Sequence, residues 1–155
     1  MKERVKSDCG TYIAVLKSNK TRTLQIGKYG ELAVNKGYYV YIGSAFGPGG
    51  IKSRLTHHVK VSSSPHWHID YLRTETVFHK AFASYSYEHK ECSWASELAE
   101  DLNSIEPLKG FGSSDCKCRT HLYYFRTFKM ANDAIAKLGK VKDGTGRRVR
   151  RRKRE

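Results

Sequence analysis

The last sixteen residues, KVKDGTGRRVRRRKRE (140–155), hold nine Lys and Arg against two acids, a local charge of +7 with no apolar periodicity. Like charges at this density repel one another in any compact arrangement, so the block reads as a disordered basic tail. Whatever folds must then do so within residues 1–139. That is the length of one domain, and it carries the other half of the net charge of +14. Apolar residues make up 39% of the chain, with ten Tyr among them, which is enough for a core. No apolar run approaches the roughly 18 residues that a membrane-spanning helix needs, so no membrane partner is expected. The opening MKERVKSDCG is charged and has no apolar stretch, which does not read as a secretory signal. The expectation is a basic cytoplasmic domain, nucleoid-associated if the source is a prokaryote.

Within that domain GTYIAVLK (10–17) is rich in β-branched and aromatic residues and reads as a strand. TLQIGKYGELAVNKG (23–37) sets two short apolar runs around Gly-Lys-Tyr-Gly, a hairpin pattern. YYVYIGSA (38–45) is a second strong strand, ended by the turn-rich FGPGG (46–50). IKSRLTHHVK (51–60) spaces Ile51, Leu55 and Val59 at i, i+4 and i+8, as a short amphipathic helix does. After the break at SSSP, HWHIDYLRT (66–74) fits helix or strand equally. TVFHKAFASYS (76–86) reads as a strand, and ECSWASELAEDLNS (91–104) as a helix with Trp94, Leu98 and Leu102 on one face. FGSSDCKCRTH (111–121) is a loop, HLYYFRTF (121–128) a strand, and NDAIAKL (132–138) a short helix begun by Asn132 or Asp133. The sum is an α+β domain: a small, mostly antiparallel sheet flanked by helices, with an extra hairpin.

Cys9, Cys92, Cys116 and Cys118 do not form a secreted disulfide framework, so reduced thiols are the default. Cys116-x-Cys118-x-x-His121 offers zinc three ligands, with Cys92 or His89 as a fourth. Zinc fingers favour two to four residues between paired cysteines, in two complete pairs. The match is partial, and structural zinc is not expected. A basic tail on a basic fold favours neutralising phosphates. Nucleic acid is the expected partner, with a solubilising or targeting tail, or ribosomal RNA association, as the alternatives.

Gly10-Thr11-Tyr12 opens one strand, Tyr41-Ile42-Gly43 closes a later one, a helix with Arg54 follows, and Glu91 heads a later helix. This order resembles the GIY-YIG endonuclease superfamily. The blocks GTYIAVL, GYYVYIGSAFGPGGIKSRLTHH, PHWHIDYL, ECSWA and GFGSSDCKCRTHLYYF, spanning about residues 10–127, are most similar to a GIY-YIG-like family of archaea and bacteria. That family was long labelled only as a domain of unknown function, number 123. The resemblance implies a metal-dependent DNA endonuclease, structure-selective or linked to repair, using one Mg²⁺ or Mn²⁺ ion. The alternative is a module with the same fold that binds DNA or structured RNA without cutting it. The chain departs from the pattern in Gly-Thr-Tyr for Gly-Ile-Tyr and in a long interval between Tyr12 and Tyr41, which the hairpin fills. No separate DNA-reading segment stands out, so a protein partner or substrate shape is expected to select the target.

Carried onto this sequence, the resemblance implies Tyr12 as the base or water-orienting group and Tyr41 as a phosphate and water partner. It implies Arg54 as the phosphate fork and Glu91 as the metal ligand. A phenol of pKa near 10 is a poor base unless nearby cations depress it. A guanidinium grips two phosphate oxygens in a geometry that Lys cannot reproduce. Glu91 leads an E-x-x-φ-φ-x-x-φ pattern through Trp94, Ala95 and Leu98, with Glu97 and Glu100 as rivals. A carboxylate oxygen suits Mg²⁺ or Mn²⁺.

Gly43, Lys52, His57, His58, His66, His68 and Ser114 complete the expected substrate-binding set. His57 and His58 follow Arg54 by three and four positions, so at least one shares its helical face; either could equally be a surface or capping histidine. His66, His68 and Asp70 alternate and would share one side of a strand, whereas a helix would align only His66 with Asp70. Amides of the Gly47, Gly49 and Gly50 turn could meet phosphate at the helix start, or the turn could be a plain connection. Ser114 and Asp115 are read as capping or rimming the same cleft.

Overall fold

The computed structural model describes residues 7–113 and 116–138, together with the backbone of residues 142–143. Its elements run β1 (Gly10–Ser18), β2 (Arg22–Ile26), β3 (Gly30–Val34), β4 (Gly37–Ala45), α1 (Gly50–Val59), α2 (His68–Arg73), β5 (Val77–Ser84), α3 (Glu91–Ala99), β6 (Leu122–Phe125), α4 (Phe128–Ala136) and β7 (Lys142–Asp143). The main sheet has the order β6-β4-β1-β5-β7 and every pairing in it is antiparallel. β2 and β3 form a separate hairpin sheet. The fold is α+β, as the sequence predicts.

The central strand β1 is covered on both faces, which explains why its sequence is apolar almost throughout. Ile13 and Val15 pack with Trp94, Ala95 and Leu98 of α3 and with Ala131, Ala134 and Ile135 of α4. Ala14 and Leu16 point the other way, into Ile26, Leu32 and Val34 of the hairpin and Ile69 and Leu72 of α2. Tyr12, on that same second face, joins Ile51 and Leu55 of α1. Each such aliphatic side chain taken from water contributes about 1.5–3 kcal/mol. On the second face, α1 and the segment leading into α2 wall the cleft together with β1, β4 and the first residue of α3.

Three local readings of the sequence need correction. Helix α3 stops at Ala99 with Glu100 as its C-cap, so Leu102 lies beyond it and is fully exposed. Helix α4 starts at Phe128, four residues before Asn132, because the Thr127 hydroxyl accepts a hydrogen bond from the Met130 amide and caps the first turn. Within the stretch read as a tail, Lys142 and Asp143 pair with Ala83 and Phe82 at the sheet edge. The rest of 140–155, and Ser114 and Asp115, lie outside the described residues.

The undecided segment 66–74 is helical from His68. The Asp70 carboxylate accepts from the amides of His66 and Trp67, both at 3.0 Å, and so satisfies donors that the helix start leaves open. Arg73, at the end of the same helix, is buried and donates to the carbonyls of His58, Val59 and Thr76. Two of these belong to the last turn of α1. One guanidinium thus closes α1 and locks it to α2.

Candidate active site

The two tyrosine motifs meet in one ladder. The β1–β4 register sets Tyr12 opposite Gly43 and Ala14 opposite Tyr41, so both phenols project from the same face, their ring centroids 6.4 Å apart. Gly43 has to be glycine: a Cβ there would sit 2.4 Å from the Tyr12 ring and hydroxyl. The Tyr12 ring lies across the backbone of the facing motif. A second glycine requirement places α1: Gly50 has φ +54° and a Cβ on it would strike the Ser7 carbonyl.

Tyr12 is almost fully buried, and its hydroxyl is 2.6 Å from His58 Nε2. Burial, reinforced by Tyr41 and only partly opposed by Arg54, holds the Tyr12 phenol well above its ordinary pKa of 10.0. Burial also raises Tyr41, with Glu91 adding to the rise. His58 moves the other way: burial first, then His57, lowers its pKa to about 3. The imidazole is therefore neutral at physiological pH, and with Tyr12 protonated the hydroxyl donates and Nε2 accepts. The depressed phenol that a free tyrosine base needs is absent; a hydrogen-bonded Tyr–His pair stands in its place.

Arg54 projects from α1 with its guanidinium carbon 4.3 Å from the centre of the Trp67 ring. Among the described residues it makes no ion pair. Stacking on Trp67 orients the planar fork and leaves its donors for a ligand. Glu91 is the first residue of α3, whose start is tied down twice: the Lys90 amide donates to Thr11 Oγ1 at 3.3 Å, and Lys90 Nζ donates to Ser84 Oγ at 3.0 Å. Thr11, the middle residue of the first motif, thus holds Glu91 beside its neighbour Tyr12. Glu91 Oε2 faces His121 Nδ1 at 3.9 Å, beyond hydrogen-bond range.

These groups line a cleft of about 450 Å³ that brings together Tyr12, Tyr41, Arg54, His58, Trp67 and Glu91. Gly43, His66 and His68 also reach it. Glu97 is exposed on α3 and Glu100 caps it; neither lines the cleft, which singles out Glu91. Lys52 is exposed and outside the lining. His57 is also outside, with its Nε2 2.8 Å from Asp70 Oδ1. The alternation His66, His68, Asp70 does not converge: His68 Nδ1 accepts from the Gly112 amide at 2.9 Å, and Asp70 groups instead with His57 and His58. Both Asp70 oxygens are already engaged, so helix capping accounts for it. Gly47 and Gly49 are exposed and away from the cleft.

A divalent ion of the Mg²⁺ type fits this donor set. Such ions take one or two protein carboxylates and otherwise keep water and substrate oxygens, and Glu91 presents a partly exposed carboxylate with no close partner. His58 was weighed in the sequence, but not as the partner of Tyr12. Trp67 reads in the sequence only as part of a packed edge of the site, and Thr11 and His121 carry no local pattern that would nominate them for the cleft.

The buried histidine has a consequence for stability. Its folded-state pKa of about 3 lies below the ordinary 6.5, so the native state excludes a proton that the unfolded chain accepts. The resulting stability is complete above about pH 6.5 and is lost as pH falls through about 3. Burial works to raise Asp70, but bonds from the His66 and Trp67 amides and from His57 outweigh it and leave its pKa lowered. Asp70 therefore adds a further loss below its ordinary value of 3.8. Urea midpoints should fall steadily as pH is lowered from 6.5, and the fall should be shallower in His58→Gln. An identical slope in that variant would assign the acid lability elsewhere.

A family model described as Domain of unknown function DUF123 matches residues 11–143. No curated protein and no solved structure matches the chain.

Proposed function

The chain belongs to the DUF123 family, and from that premise we propose that it is a divalent-metal-dependent DNA endonuclease of the GIY-YIG type, structure-selective or linked to repair. The observation that carries this reading is the meeting of two phenols, a guanidinium and a carboxylate from β1, β4, α1 and α3 in one cleft. Phosphodiester hydrolysis calls for that set: a group to orient water and take its proton, a cation for the phosphoryl oxygens, and a carboxylate for a hard metal ion.

In this mechanism Arg54 grips two oxygens of the scissile phosphate while Trp67 keeps its plane fixed. Tyr12 orients the attacking water. As its oxygen receives the water's proton, its own proton crosses the 2.6 Å bond to His58 Nε2; the water oxygen bonds to phosphorus while the P–O bond to the leaving sugar oxygen breaks, and that oxygen takes its proton from solvent. Burial opposes an imidazolium at His58, and the Asp70 carboxylate offsets part of that cost. Tyr41 donates to a phosphate oxygen from beside Tyr12. A Mg²⁺ or Mn²⁺ ion on Glu91 would supply charge neutralisation at the phosphate. The net charge of +14 supports a nucleic-acid substrate through phosphate contacts that carry no sequence choice. Target choice then falls to DNA shape or to a partner protein. Among the described residues no helix is long and apolar enough to cross a membrane.

The test is a panel of labelled duplex, single-stranded, flap, bubble, abasic and four-way-junction DNAs and structured RNA, each with Mg²⁺, Mn²⁺ or EDTA. Cutting of at least one DNA that stops in EDTA is the expected result. Tight binding with no cutting under any condition would replace this reading with the non-catalytic module. Cutting confined to RNA would move the substrate class.

A further inference from the structure

Against one wall of the cleft, with Cys116 and His121 forming part of its lining, lies a second group of side chains that the proposed hydrolysis does not use. One ligand atom each from Cys92, Cys116, Cys118 and His121 lies within 4.8 Å of every other. Cys92 comes from the first turn of α3; the other three come from the segment leading into β6. We infer that these four residues bind one Zn²⁺ ion, which ties residues 116–121 to the start of α3. The inference stands on the cluster alone and does not need the nuclease reading.

Four ligands in a Cys₃His set are what a closed tetrahedral zinc site uses, with Zn–S about 2.3 Å and Zn–N about 2.0 Å. Those bond lengths separate ligand atoms by roughly 3.5–3.8 Å. Cys116 Sγ is 3.3 Å from His121 Nε2 and no pair is more than 4.8 Å apart, so an ion would draw the ligand atoms together by at most about 1 Å. All four cysteines of the chain are free thiols, and three of them crowd onto one histidine. A nucleophilic Cys–His pair needs one thiol and one imidazole; three sulfurs with a nitrogen are the donor set of a thiophilic metal.

His121 supplies a second, independent observation. It is 1% exposed, and its Nδ1 is buried without a hydrogen-bond partner among the described residues. With Nε2 on the metal the ring must carry its proton on Nδ1, facing Glu91 Oε2 at 3.9 Å. A metal-bound histidine turning its free N–H toward a carboxylate is the usual outer-shell arrangement. The other sequence candidate for the fourth ligand, His89, stacks on Phe46 with ring centroids 3.9 Å apart, and the remaining cysteine, Cys9, donates from Sγ to the Phe46 carbonyl. Local spacing disfavours zinc because Cys116-x-Cys118 is tighter than the usual paired spacing, and it leaves the fourth ligand open between Cys92 and His89. The fourth ligand arrives through the fold. With all four positions taken by protein the ion is structural, and its effect on the cleft is to hold the backbone beside Glu91.

The full-length chain, purified under reducing conditions without chelator, should contain one zinc per molecule by elemental analysis. Cys92→Ser and Cys118→Ser should each lose it, while Cys9→Ser keeps it. Should those variants fail to fold, the parent protein decides: after chelation, Co²⁺ should restore a thiolate-to-metal charge-transfer band with tetrahedral d–d intensity. Zinc should also slow alkylation of Cys92, Cys116 and Cys118 without changing that of Cys9. Three outcomes overturn the site: a parent with no zinc and no cobalt charge-transfer band, a disulfide among the three thiols in freshly reduced protein, or equal metal loss in Cys9→Ser.

Discussion

Replacing Glu91 with Gln should lower single-turnover cleavage by about 10³-fold or more while leaving DNA affinity and the melting transition close to those of the parent. The size follows from what one preorganised charge-stabilising group contributes in a site of this kind, about 10²–10³ in rate, with loss of the metal's own contribution added to it. Stability is spared because, among the described residues, the carboxylate is 3.9 Å from His121 Nδ1, beyond hydrogen-bond range. Glu97→Gln is the matched control, since Glu97 lies exposed on the same helix outside the cleft. It should cleave like the parent. A Glu91→Gln protein that cleaves within tenfold of the parent, or a Glu97→Gln protein that does not cleave, would remove Glu91 from the role given to it.

Gly43→Ala should damage both the fold and the chemistry. The added methyl carbon would lie 2.4 Å from the Tyr12 ring, and that ring is almost fully buried. It cannot swing into solvent. Overpacking of this kind costs about 1–3 kcal/mol, visible as a lower urea midpoint. The displaced hydroxyl should also lose its 2.6 Å bond to His58, with cleavage falling as far as in Tyr12→Phe, which removes the hydroxyl and leaves the backbone alone. Gly43→Ala that melts early but cleaves normally at low temperature would show that the position of Tyr12 is not critical.

Parts of the molecule that depend on local chemistry could be read from the residues. β1 and β4 announce themselves through β-branched and aromatic runs, and Gly-Lys-Tyr-Gly marks the hairpin turn. Where helix and strand signals compete, capping decides, and capping is harder to see. HWHIDYLRT has apolar residues at both spacings, and it is the Asp70 carboxylate on two preceding amides that makes it a helix. Leu102 continues an apolar stripe in the sequence, yet the helix has already ended at Ala99. In the site, Tyr12, Tyr41, Arg54 and Glu91 were legible as motif residues. The Tyr12–His58 bond spans 46 positions and the Lys90–Thr11 bond 79, distances at which no local pattern carries information. The same holds for Cys92 and its distant companions.

The strand order also has a consequence for how the chain is made. β1 emerges from a ribosome before β4 and β5 but lies between them in the finished sheet. β4 reaches it after a modest delay. β5 begins about 60 residues after β1 ends, on the order of 3–12 seconds of synthesis at about 5–20 residues per second. Through that interval one side of an apolar strand carries unpaired amides and carbonyls, the configuration that recruits foreign strands. A chaperone that shields the nascent chain through that interval should therefore raise its soluble yield.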